Sequence, residues 1–428
     1  MKICRLIRSF NRSYSTPVIK SSLVVIGEGG SKVSRTIIPD LQPENEQKYS
    51  AENIRRNLKA RGINEKDLFG VSPENVQQSL KKYLAIRKQL ADLEQEREAF
   101  KEIAAKDVTK RGDMKLLKKK IKSTQAEFWT QEDDCLHRLI VVPNSLDPQT
   151  PEKEDTILHE HEGCRPPTRI AAKDVEFEEG NPLNVFIKGQ CALEETKLLR
   201  RAQLFLQKDG FSDIIAPPDI VRSTVIEGCD PLSFGDPNRS LALSKSSDFG
   251  DLKSGLGAHL VGSASFPGLV TFFVKNVLAN RNVLPLNYIS IGRQYYPAKP
   301  ASTASLLNTQ QSSCVGLLSL NADSATLDQS FEEWTAKFKT FYDDLGLGYR
   351  LVYKAAKDLS LPESLRLEAQ VWSEQNNCHV CVGSLSKYDD FVSQRLLIKY
   401  QDSEDELKPL HLLSGTFLDV HKYFGCII

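Results

Sequence analysis

SPENVQQSLKKYLAIRKQLADLEQEREAFKEIAA fills residues 72–105, and DMKLLKKKIKSTQAEFWTQEDDC fills residues 113–135. Ser72-Pro73-Glu74 is a helix opening: a capping hydroxyl, then a proline where the backbone N–H has no intrahelical partner anyway. No Gly or Pro follows before Ala105. Leu80, Tyr83, Ile86, Leu90, Leu93, Phe100 and Ile103 recur at spacings of three, four or seven. Gly112 breaks the pattern, and Met114, Leu117, Ile121, Thr124, Phe128, Gln131 and Cys135 resume it at strict three-four alternation. Two such stripes joined by a polar turn predict an antiparallel coiled-coil hairpin. With about 30 residues per helix, the arm is ~45 Å long at 1.5 Å per residue. A shorter helix begins near residue 52, with Ile54 and Leu58 beside Arg55, Arg56, Lys59 and Arg61, and Gly62 stops it.

Charge is uneven along the arm. The first long helix balances six acids against six bases, whereas residues 106–122 hold Lys106, Lys110, Arg111, Lys115, Lys118, Lys119, Lys120 and Lys122 against only Asp107 and Asp113. Such a cationic tip binds phosphate by counterion release, or it is a solvated face that resists aggregation. Few aromatics interleave, which argues against base stacking there.

The whole chain of 428 residues carries 56 Lys plus Arg and 56 Asp plus Glu, so no global basic field marks a nucleic-acid partner. The length suits two or three domains. The best apolar run, Val270 to Ala279, is interrupted by Lys275 and falls short of the ~18 residues of a membrane span. Nine scattered cysteines predict reduced thiols. Residues 1–27 contain Lys2, Arg5, Arg8, Arg12 and Lys20 and no acid, with Ile3, Leu6, Ile7 and Phe10 interleaved. That composition predicts a mitochondrial (matrix) transit peptide, with cleavage after Tyr14.

After Val141-Val142-Pro143-Asn144 the composition shifts. Pro143, Pro148, Pro151, Pro166 and Pro167 punctuate a linker with an entry strand over residues 141–190, leading to a helix at Ala192–Asp209. Strands are expected at Asp213–Ala216, Leu286–Ile291, Tyr349–Tyr353, His379–Val382 and Arg395–Tyr400, and helices at Pro267–Ala279 and Leu327–Leu345. Without a regular βαβ rhythm, residues 191–428 predict an α+β domain with a mainly antiparallel sheet, preceded by the arm over residues 50–140.

The order of these features resembles a bacterial-type seryl-tRNA synthetase, a class II aminoacyl-tRNA synthetase, over nearly the whole chain after residue 50. Leu58-Lys59-Ala60-Arg61-Gly62 is similar to the end of the family's first helix. Pro143-Asn144, Pro151 and Glu154-Asp155 resemble the strand after the arm. Gly210-Phe211 through Ala216-Pro217-Pro218 resembles motif 1, and Leu284-Pro285-Leu286 the approach to motif 2. Leu345 to Arg350 resembles the strand ending in Tyr-Arg, and Asp390-Phe391-Val392-Ser393-Gln394-Arg395 resembles Asp-Phe-Gln-Ala-Arg-Arg. The resemblance implies a class II synthetase-like antiparallel sheet domain, a dimer interface at motif 1, and an arm that binds tRNA.

Family chemistry uses an Arg-x-Glu in motif 2, a Thr-x-Glu that recognises serine, a Glu for Mg²⁺ and an arginine in motif 3, because bidentate arginines and carboxylate ligands are hard to replace by neutral groups. Here the Thr-x-Glu position reads Ser263-Ala264-Ser265. Arg293 is followed by Gln294-Tyr295, and Tyr296 by Pro297-Ala298. From Leu252 to Ala322 there is no Asp or Glu, and no arginine follows Arg395; His421 falls near the motif 3 position. The Mg²⁺ glutamate reads about Cys381 and the family's Asn reads Lys387, while Ser384, Ser386 and Arg395 remain. The resemblance therefore implies a pseudo-enzyme with no catalytic, cofactor or metal residues, a degenerate mitochondrial paralogue of the kind insects carry. Its expected partners are the mitochondrial seryl-tRNA synthetase (as a heterodimer) or itself, and tRNA or another mitochondrial RNA, without membrane insertion. A divergent ATP-dependent ligase and a coiled-coil adaptor stand as alternatives.

Other constellations are weaker. Cys378-His379-Val380-Cys381 lies in an expected strand, where its two thiols point to opposite faces. His159-Glu160-His161 with Cys164 has ligand types but sits on the linker. No cue gathers a Ser-His-Asp triad.

Overall fold

The computed structural model describes residues 21–23, 39–41, 45–64, 68, 71–106, 111–163, 171–233, 236–243, 257–297 and 305–428. Helix α1 (Ala51–Ala60) is capped by Ser50, whose hydroxyl accepts the Asn53 N–H. It ends at Arg61 and Gly62, the latter at φ +65°. Helix α2 (Pro73–Lys106) opens as the sequence predicts, with the Ser72 hydroxyl accepting the Asn75 N–H at 3.2 Å. Helix α3 (Arg111–Leu139) returns along it. Tyr83 stacks near Phe128 with ring centroids 5.5 Å apart, and Ser79 donates to Asp134 at 2.7 Å. A low residue number pairs with a high one throughout, so the helices run antiparallel. Gly112 does not break the pattern: it sits in the first turn of α3, where a glycine is tolerated because the helix is held by packing further along.

The rest of the chain runs through β1 (Thr156–His161), β2 (Val175–Glu178), β3 (Asn181–Ile187), α4 (Gly189–Gln207), β4 (Asp213–Ile214), β5 (Ile220–Arg222), α5 (Ser223–Cys229), β6 (Leu241–Ala242), β7 (Ala258–Leu260), α6 (Phe266–Thr271) and β8 (Val277–Leu278). It continues through β9 (Leu286–Tyr295), β10 (Gln311–Asn321), α7 (Ser324–Leu345), β11 (Tyr349–Tyr353), β12 (Leu365–Ser373), β13 (Cys378–Asp389), α8 (Phe391–Leu396), β14 (Lys399–Gln401), β15 (Leu407–Pro409), β16 (His411–Asp419) and α9 (Val420–Ile427). Eight strands form one sheet in the order β1-β11-β12-β13-β16-β10-β9-β4, antiparallel at every pairing except β4 with β9. The fold is thus mixed α and β around a large, mainly antiparallel sheet.

One face of the sheet is covered by α4, α7 and α9. Helix α7 opens with a capping box between Asp323 and Thr326 and stops at Gly346 in the left-handed region. Its Phe331, Trp334, Phe338, Phe341 and Tyr342, spaced three and four apart, are buried. Several of these rings gather around Phe417 of β16, at centroid distances of 4.7 Å for Phe338 and 5.0 Å for Phe341. The other core joins α5, α6 and α8 to the base of the arm, through Tyr83, Leu136, Leu139 and Ile140. Asn144 ties the arm's exit to the domain, its side-chain amide donating to the carbonyls of Pro362 and Tyr388, each at 3.0 Å.

Two expected elements differ. Pro267–Ala279 is not one helix: α6 stops at Thr271, and Lys275 turns to φ +57° with its N–H on the Leu396 carbonyl. Arg395 belongs to α8, and only Lys399–Gln401 of the expected strand is extended, because Leu397 at φ +55° closes the helix. A short apolar run does not distinguish a buried helix from a strand.

Candidate functional site

The end of β9 lines a cavity of about 160 Å³ that is also walled by β6, β7, α5 and the turn into α6. Gly262 sits at φ +91° against β9, where a Cβ would come within 2.0 Å of the Arg293 carbonyl. Ser263 donates its N–H to Asp219 at 2.7 Å. Ser265 caps α6, accepting from the Gly268 N–H at 3.2 Å and donating to the Gly262 carbonyl at 2.6 Å. The serines of the Ser-Ala-Ser segment therefore serve the turn.

Successive residues of β9 point to opposite faces. Gln294 faces the cavity, its amide donating to the Ala264 carbonyl at 2.8 Å and the Thr416 hydroxyl at 2.9 Å. The Tyr296 phenol donates to Gln294 Oε1 at 2.8 Å and lies 3.4 Å from Asp419. Ser312 also donates to Asp419. Lys422 pairs with Asp419 at 3.0 Å and lies 5.0 Å from the Tyr296 ring centre. Burial works against the Lys422 charge, but the Asp419 carboxylate outweighs it and holds the amine above the usual lysine range. Burial likewise lifts the Tyr296 phenol well above its ordinary value. On the far wall, burial raises Asp230, which accepts from Ser233 at 2.8 Å and lies 3.8 Å from Arg239.

Arg293 turns away from the cavity. It lies 3.5 Å from Glu195 of α4 and 3.4 Å from His421 Nε2, while Ser313 donates to Glu195. Burial pushes the Glu195 carboxyl up, but His421, Ser313 and Arg293 together pull it below the usual range. His421 is thus on this face, and Lys422, one residue on, is the cation beside Tyr296 and Asp419. The segment Leu252–Ala322 has no acid, yet the fold brings Asp219, Asp230, Glu195 and Asp419 to it from outside. Sequence reading missed Asp419 and Lys422; their i, i+3 spacing across the start of α9 was the available signal.

The remaining candidates scatter. Arg395 is buried, donating to the Phe391 carbonyl at 2.8 Å and the Ile140 carbonyl at 3.0 Å, so it joins α8 to the arm. Ser386 donates to Glu363 at 2.6 Å, and Lys387 pairs with Asp147 and Asp328 at 2.9 and 2.6 Å. Cys381 is pushed up to about 12 by burial, and Cys378 is exposed. His159 and His161 are not on a linker but on edge strand β1, each 3.9 Å from Asp343; Cys164 lies outside the described residues. No group of three or more His, Cys, Asp or Glu side chains among the described residues is placed to hold a metal. Lys115, Lys118, Lys119, Lys120 and Lys122 are exposed along α3. Lys110 and the side chains of Lys106 and Arg111 lie outside the description, as does the expected leader through residue 20. No helix among the described residues is long and apolar enough to cross a membrane.

Residues 258–428 match the tRNA synthetase class II core domain (G, H, P, S and T). The chain is 25% identical over 396 residues to the serine–tRNA synthetase-like protein Slimp of Drosophila melanogaster, covering 88% of this chain and 81% of that protein. Its fold is similar to the cytoplasmic serine–tRNA ligase of Naegleria fowleri in complex with AMP, with a TM-score of 0.73 and 18% identity over 91% of this chain and 92% of that one. It is also similar to the seryl-tRNA synthetase of Pyrococcus horikoshii complexed with ATP, with a TM-score of 0.74 and 16% identity over 90% and 92% of the two chains. Residues 258–428 thus match a class II tRNA synthetase core domain, and the chain is similar along most of its length to a seryl-tRNA synthetase-like protein.

Proposed function

We propose that this protein is a seryl-tRNA synthetase-like pseudo-enzyme of the mitochondrial matrix, acting as a dimer subunit and RNA-binding factor that supports mitochondrial translation. The observation that carries the loss of catalysis is the small size of the cavity and the paired state of its charged groups. At about 160 Å³ the space is below the ~300–1,000 Å³ of ordinary small-molecule sites. The arginine in its lining, Arg239, lies within 4 Å of Asp230 and Asp236, Lys422 beside Tyr296 is paired with Asp419, and Tyr296 bonds Gln294. A triphosphate needs unpaired, forked donors and metal-binding carboxylates there. Calorimetry with ATP and Mg²⁺ tests this: no heat of binding is expected, and micromolar Mg²⁺-dependent binding refutes it.

The subunit role is supported by exposed apolar side chains near motif 1: Phe186 on β3, Leu193 and Leu204 on α4, and Ile214 on β4. The partner is the active mitochondrial seryl-tRNA synthetase or a second copy. Co-expression followed by light scattering decides between them: a one-to-one species supports the heterodimer, and separate elution of a self-associating chain refutes it. The RNA role is supported by the exposed lysines of α3. Lys118→Gln, Lys119→Gln and Lys120→Gln together are expected to weaken RNA binding and flatten its salt dependence, and an unchanged slope rejects the arm as the site.

A further inference from the structure

Helix α3 carries a second stripe beside its buried one. Lys115, Lys118, Lys122, Gln125 and Trp129 follow one another at spacings of three and four, so they line one face. The three lysines are exposed, and Trp129 is 53% exposed, whereas Trp334 is fully buried under the sheet. Lys119 flanks the stripe, and the next position along it is Glu132. A large aromatic ring is thus left largely in water just past the last lysine of the stripe.

Resting on the arm's reading as an RNA site, we infer that this stripe takes an RNA whose phosphates pair with Lys115, Lys118 and Lys122 and whose unpaired base stacks on Trp129. Lys122 and Trp129 are seven residues apart, about 10 Å along the helix. That distance is roughly three steps of a stacked strand. Gln125 between them presents a donor and an acceptor to a base edge. No Lys or Arg follows Lys122 on α3 before Arg138, so the backbone leaves the arm there and the last base is free to turn onto the indole. Every base has a π face, so the contact selects unpaired nucleotides rather than a sequence. The scarcity of aromatics in the arm's sequence argued against stacking; what matters is one ring placed at the end of the stripe.

The test uses the full chain with two probes: a fluorescein-labelled RNA hairpin with a seven-nucleotide loop, and a blunt RNA duplex of the same charge. Trp129→Ala is expected to weaken hairpin binding on the order of ten-fold and leave the duplex unchanged, with Trp129→Phe close to the parent. In a Trp372→Phe background, hairpin but not duplex is expected to quench the indole fluorescence. Parental hairpin affinity in Trp129→Ala, or equal loss for both probes, overturns the stacking. If Lys115→Gln, Lys118→Gln and Lys122→Gln together also leave affinity and salt slope untouched, the arm's RNA reading falls with it. Polyglutamate competing as well as the hairpin overturns RNA in favour of an acidic polypeptide.

Discussion

Starting the chain at Val24 instead of Ser21 removes three residues and strands one buried carboxylate. Glu227 lies in α5, all seven residues of which are buried. Its Oε2 accepts the Ser22 N–H at 2.6 Å and the Ser22 hydroxyl at 2.5 Å. Leu23 is wholly buried in the core that joins α5 to the arm's base. Each hydrogen bond to a charged group contributes ~1.5–3 kcal/mol, and an orphaned buried charge leaves ~3–5 kcal/mol unrecovered. Burying Leu23 adds ~1.5–3 kcal/mol. These terms overlap, so the loss expected on going from a chain beginning at Ser21 to one beginning at Val24 is ~4–6 kcal/mol. Burial already raises the Glu227 carboxyl even with its donors in place. Without them it rises further. A carboxyl whose folded pKa exceeds its unfolded value binds more protons when folded, so stability increases as pH falls toward the unfolded value. The deficit of the shorter chain is therefore largest above neutrality and shrinks on acidification, and Glu227→Gln recovers part of it. Urea unfolding of both chains at pH 8 and pH 5.5, followed by far-ultraviolet circular dichroism, reads this out. Midpoints that coincide at pH 8, or a deficit that does not change with pH, refute the assignment of residues 21–23 as the partner of Glu227.

Other expectations follow from single positions. Gly262→Ala sets a Cβ 2.0 Å from the Arg293 carbonyl at a φ that L residues avoid, so a loss above ~2 kcal/mol is expected in urea unfolding. Arg395→Met leaves the Ile140 carbonyl without its donor; a loss of ~2–4 kcal/mol is expected, with limited proteolysis at the arm's base as the local readout. Tyr296→Phe removes the phenol from Gln294 and Asp419. It is expected to cost ~1–2 kcal/mol while leaving RNA affinity unchanged.

The apolar periods of α2, α3 and α7 were legible because each helix buries one continuous stripe, and a stripe is a local pattern. The central strands β10, β12 and β16 were not. Almost every residue of β10 is buried, on both faces, so Ser312-Ser313-Cys314-Val315-Gly316 shows no alternation to read. The small residues there are required by crossing backbone: a Cβ on Gly316 would lie 2.0 Å from the Ala264 carbonyl. The site was half legible. The absence of acids between Leu252 and Ala322 is written in the order of letters, but the arrival of Asp419 and Lys422 at Tyr296 is not.

Residue order alone determined the arm, its cationic start, the neutral composition and the absence of acids from the β7–β10 region, since each depends only on neighbours along the chain. Tertiary structure decided which charges meet. It sent Arg293 and His421 to Glu195 on one face of the sheet, and Tyr296, which bonds Gln294, and Lys422 to Asp419 on the other. Adjacent residues on a strand face opposite ways, and Glu195, which faces both members of the first group, lies about a hundred positions from Arg293 and farther from His421, beyond the reach of any local pattern.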